Sequence, residues 1–107
     1  MNSDTYAGTI AEWEAAMDPY EVPEHLRDGI ARFVLFGVPP GRFLEALLTN
    51  DLRRAATDST PMSFASIPNT LSFLHWNVPM ECHGTLARYE AWIKRGGLMM
   101  HTKAQQS

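Results

Sequence analysis

Residues 37–56 read Gly37-Val38-Pro39-Pro40-Gly41-Arg42-Phe43-Leu44-Glu45-Ala46-Leu47-Leu48-Thr49-Asn50-Asp51-Leu52-Arg53-Arg54-Ala55-Ala56. The opening five cannot be helical throughout, because Pro39 pushes Val38 extended and Pro40 does the same to Pro39. From Arg42 the spacing turns helical. Phe43, Leu44, Leu47, Leu48, Leu52 and Ala55 form a wide apolar face, which predicts one helix from about Arg42 to Ala56.

The chain on either side follows the same logic. Upstream, Thr9 and Glu12 have capping-box spacing, Ile10, Trp13 and Met17 share a helical face, and Asp18-Pro19 stops that helix. A second helix opens near Pro23-Glu24, carries Leu26, Ile30, Phe33 and Val34 on one stripe, and ends at Gly37. Downstream, Thr60-Pro61 starts a short turn, and a main helix runs from about Ser66 to Asn77, with Pro68 in its first turn. Val78-Pro79 ends it. A loop through Cys82-His83-Gly84 leads to a last helix capped by Thr85, bearing Leu86, Tyr89 and Ile93 and closed by Gly96-Gly97. No segment alternates with period two. The expected fold is all-α, a single compact bundle of four to five short helices. Residues 1–22 are expected as an acidic N-terminal arm or helix, 23–98 as the helical core, and 99–107 as a flexible C-terminal tail.

Composition narrows the function classes. A chain of 107 residues with 45% hydrophobic content suits one domain. Its single Cys excludes an internal disulfide framework. No apolar run approaches the roughly 20 residues of a membrane-crossing helix, and the N-terminus lacks a signal-peptide pattern. The expectation is a soluble protein of a reducing, intracellular compartment. Net charge of -3 argues against a general phosphate-backbone binder. The charge is uneven: Asp4, Glu12, Glu14, Asp18, Glu21 and Glu24 precede the first basic residue, whereas the rest of the chain is net basic. That segment reads either as an acidic helix packed on a basic body or as a surface offered to a basic partner.

Several residues break the apolar pattern. On a continuous helix Asp51 falls about 80° from Phe43, inside the arc of the leucines. It is expected to be buried, either pinned by at least two hydrogen bonds or flooring a pocket with Asn50 and Arg54. Phe73 and Trp76 point away from Ile67, Leu71, Leu74 and Val78 on their helix. They form either a second core face or an aromatic patch for a partner or a second copy of the chain, so a homodimer or small oligomer is expected. Met99-Met100 adds apolar surface to that argument. Arg42 after Pro39-Pro40-Gly41 is a candidate anion site at a helix start, with Arg53 and Arg54 nearby. Cys82-His83 matches no metal-ligand frame and no nucleophile–base arrangement, so no metal, cofactor or catalytic residue is expected.

Four stretches carry a resemblance: Val22-Pro23-Glu24-His25-Leu26-Arg27-Asp28-Gly29, the Gly37–Leu44 connector, Asn50-Asp51-Leu52, and Cys82-His83-Gly84-Thr85 followed by Ala91-Trp92-Ile93. Together they resemble a family of small uncharacterised accessory proteins of bacteriophages and prophages. The resemblance spans about residues 22 to 97. It departs over Ser59–Thr70 and at Thr85-Leu86-Ala87, where the family has a Ser-Pro-Glu helix start. It implies a phage accessory protein made in the cytoplasm of a bacterial host, one that disarms or redirects a host factor. The expected function is non-enzymatic binding and inhibition of a host protein, for example an antiviral defence component. Two alternatives stand beside it. One is a small oligomeric protein sequestering a nucleotide-type anionic signal, using Arg42 and Trp76. The other is a DNA-binding helical module, disfavoured by the proline-rich turn and the acids on its second helix.

Overall fold

The first helix is held at its start by the expected capping box. The Thr9 side chain accepts from Glu12 N at 3.1 Å, and Thr9 N donates to Glu12 Oε1 at 2.9 Å. The structure is a computed structural model and describes residues 8–99. The outermost residues, including Met100, lie outside the description. The described residues hold no strand and form α1 (Ile10–Ala16), α2 (Glu24–Phe36), α3 (Arg42–Leu48), α4 (Leu52–Thr57), α5 (Pro61–Ala65), α6 (Ile67–Asn77) and α7 (Leu86–Arg95), with residues 97–99 again helical. Short 3₁₀ turns, Asp18–Tyr20 and Met80–Cys82, precede α2 and α7. The fold is an all-α compact bundle, as the apolar spacing predicts.

The helix pieces are more numerous than the periodicity suggests, because the stretch from Arg42 to Ala56 is broken. Asn50 adopts the left-handed conformation, φ 64. Around it Asp51 N donates to Ala46 O at 2.7 Å and Asn50 N to Leu47 O at 3.2 Å. This is the paired closure of a Schellman motif, with Asn in the place usually taken by Gly. Asp51 then begins the next helix, its Oδ1 accepting from Arg54 N at 3.2 Å. Asp51 is therefore a half-buried N-cap rather than a carboxylate inside the core. A cap of this kind stabilises its helix by about 1 kcal/mol. The break also swings Leu52 outward, to 58% exposure.

Packing is organised around α2, where Ile30, Ala31, Phe33, Val34 and Leu35 are all sealed from water. α1 lies along α2, and Met17 and Val22 from the acidic N-terminal stretch are buried in the same core. α3 and α4 pack on each other, with Leu48 and Ala55 wholly inside. On α7 the inward residues are Tyr89 and Trp92, while Leu86 in its first turn is exposed. Tyr89 stacks on Phe33 at 5.2 Å, and the Trp92 indole N–H donates to Phe33 O at 2.9 Å and Val34 O at 3.2 Å. The loop before α7 is tied down as well, with Gly84 N donating to Leu48 O at 2.7 Å.

Candidate functional site

The basic candidates gather at the α3–α4 break, where acids compensate most of them. Arg42 is largely exposed, and its Nε lies 3.7 Å from Asp58 Oδ2. Arg54 stands between two carboxylates, 2.7 Å from Glu45 Oε1 and 3.9 Å from the same Asp58 oxygen. Asn50 and Arg53 are exposed beside them. Asp51 spends its side chain on the start of α4, where its Oδ1 accepts from Arg54 N at 3.2 Å. An anion approaching Arg42 meets Asp58 at the same point.

Next to Arg42 is a cleft of about 390 Å³ between α2, α3 and α5. On its lining His25 Nε2 is 3.0 Å from Ser63 Oγ, which also accepts from the Thr60 hydroxyl at 3.1 Å. Ser66 and Thr70 continue this polar seam inward, Ser66 donating to Ser63 O at 2.8 Å. A separation of 38 residues hides the His25–Ser63 pair from any local motif. Among the described contacts no third group orients the imidazole, as a catalytic pair requires.

The aromatic pair separates. Phe73 is fully buried, packed edge-on against Trp13 at 6.3 Å and Tyr20 at 5.6 Å. It is a core residue of its own chain, which corrects its assignment to an interface or patch. The inward arc of α6 runs through Thr70, Phe73 and Leu74, so Leu71 is turned toward solvent at 37% exposure. The expected self-association through both aromatic residues loses one of them.

Trp76 is 73% exposed, the most exposed of the large apolar residues described. It borders a cleft of about 440 Å³ between α6 and the Asp18–Tyr20 turn, shared with Pro19, Tyr20, Glu21, Asn69 and Ser72. The residues from the turn were not legible as partners of Trp76, since Asp18-Pro19 carries only the signal of a helix stop. Glu21 takes the left-handed conformation at φ 56, and among the described residues its carboxylate has no ion pair or hydrogen bond.

Cys82 is sealed in the core, and its thiol donates to Pro79 O at 3.0 Å rather than facing His83. Burial pushes this thiol up to about 12 and the Tyr89 phenol up to about 12, while burial also lowers the His83 pKa. Among the described residues, no hydrogen-bond partner meets the buried His83 Nε2. No cluster of His, Cys, Asp and Glu suited to a metal ion occurs among the described residues. The native thiol is expected to resist a disulfide reagent at pH 8 and to react once the chain is unfolded. Cys82 and Tyr89 keep their protons where the unfolded chain has released them, so stability falls as pH rises from about 9 toward 12. Cys82→Ser should flatten that decline in denaturation titrations. An unchanged slope together with rapid labelling of the native thiol would place Cys82 at the surface.

No helix among the described residues is long and apolar enough to cross a membrane. Comparison with protein-family models, with curated proteins and with solved structures gives no match.

Proposed function

We propose that this protein is a non-enzymatic accessory protein of a bacteriophage that acts in the cytoplasm of the bacterial host by binding and inhibiting a host protein. The observation that carries this reading is Trp76. A tryptophan at 73% exposure beside a cleft gives up most of the gain its burial would bring, on the order of 2–3 kcal/mol. Tryptophan is also enriched among the residues that dominate protein–protein binding. The resemblance of residues 22–97 to phage accessory proteins supports the setting. Sequestration of a nucleotide and binding to DNA draw no comparable support. Arg42 and Arg54 are compensated by Asp58 and Glu45, and the stretch that would read a groove is broken at Asn50.

Trp76→Ser tests the reading, since an exposed substitution should shift stability by no more than about 0.5 kcal/mol. Host proteins captured by the wild type are expected to be lost from this variant, together with any protection of an infecting phage. Capture and protection that survive the substitution would remove Trp76 from the binding surface.

A further inference from the structure

The cleft beside Trp76 has the composition of an arginine site, and the chain contains a filled example elsewhere. At the end of α7 the Arg95 guanidinium lies 4.7 Å above the Trp92 ring, with Nη1 3.4 Å from Glu81 Oε2. A flat cation is held there between an indole face and a carboxylate, the geometry a guanidinium satisfies better than an ammonium. Trp76 and Glu21 bring the same indole and carboxylate to one cleft, with Tyr20 as a second ring. Among the described residues that line this cleft there is no arginine or lysine. The nearest arginine in sequence, Arg27, is committed to Val22 O at 2.8 Å, to Glu14 O at 3.3 Å and to the Asp18 carboxylate. Arg32 is paired with Asp28 at 2.9 Å. Beyond the Asp18–Tyr20 turn a second cleft presents Glu14 and Glu24, so the field along this side stays negative.

We propose that the cleft between the Asp18–Tyr20 turn and α6 receives an arginine side chain from the partner protein, stacked on Trp76 and paired with Glu21. The inference rests on the protein-binding reading and gives that partner a chemistry: an extended, exposed segment carrying arginine. A guanidinium there gains a ring face and a carboxylate acceptor at once: Trp76 meets the His75 ring edge to face at 4.7 Å, and the Glu21 carboxylate has no ion pair or hydrogen bond among the described residues to give up first.

The test uses the full chain and three short acetylated, amidated peptides, Gly-Gly-Arg-Gly-Gly and its lysine and citrulline counterparts. Binding is followed at the indole N–H signal of Trp76 in ¹H–¹⁵N spectra. The Arg peptide is expected to move that signal in a saturable way at millimolar concentration. Citrulline, which keeps the shape without the charge, should bind about fivefold more weakly, the scale of one exposed charge pair. Glu21→Gln should cost the Arg peptide a similar factor while leaving the other two indole signals in place. Equal binding of arginine and citrulline, or indifference to Glu21→Gln, would overturn the arginine assignment. Host-protein capture separates the two levels. Loss of capture in Trp76→Ser with full capture in Glu21→Gln leaves a binding surface without an arginine site. Capture unaffected by Trp76→Ser removes the surface itself.

Discussion

Trp92→Ala is expected to lower stability by about 3–5 kcal/mol, the range for deleting a large buried aromatic side chain. That is a large share of the 5–15 kcal/mol available to a typical small domain. The indole is 1% exposed and reaches from α7 into the last turn of α2. Its N–H answers a specific need there, because the final carbonyls of a helix have no partner within the helix. Phe33 O has a second donor in Gly37 N at 2.9 Å, so Val34 O depends more on the indole. Trp92→Phe keeps most of the ring volume and removes the donor, and should cost about 1–3 kcal/mol. Urea denaturation of both variants checks this. Equal losses would mean that packing alone holds α7 to α2.

Trp92 also shows where the sequence was readable. The periodicity of the last helix was apparent, and Tyr89 took the inward position expected of it, yet Leu86 did not. Leu86 sits in the first turn of α7, one turn before Tyr89, and is 54% exposed. A side chain that pins two elements 58 or 59 residues apart leaves no mark on local spacing.

The misreading of Asp51 has a sharper lesson. The leucines on either side kept helical phase, so the stretch looked continuous and the carboxylate looked buried. The stop and start were nevertheless written in adjacent residues, Asn50 suited to a left-handed closure and Asp51 to an N-cap. Pro61 and Pro68, by contrast, force backbone choices whatever surrounds them, and α5 and α6 begin where those prolines place them. The aromatic pair was legible as an anomaly only. Which ring lay inside depended on Trp13 and Tyr20 arriving from the other end of the chain, and Glu21 joined Trp76 by the same long-range packing.

Gly97→Ala is the second large effect. α2 and α7 end against each other with almost no side chain between them. Gly97 has φ 73, and a Cβ built there would stand 2.6 Å from Gly37 N and from the carbonyl carbon and oxygen of Leu35. Those are backbone atoms, so no rotamer change relieves the clash and the helix ends must separate. Left-handed alanine costs about 1–2 kcal/mol, and forcing a packed contact apart adds about 1–3 kcal/mol, so about 3 kcal/mol is expected from one methyl group. Gly41→Ala is the control, since a Cβ there meets nothing within 4 Å. Its cost should stay below about 1 kcal/mol, reflecting only its N-cap position. Separation of the two ends should also loosen the indole from Phe33 O and Val34 O. The losses from Gly97→Ala and Trp92→Phe are therefore expected to sum to more than the loss in the double variant. Strict additivity would show that the glycine contact and the tryptophan hydrogen bonds hold the helix ends independently.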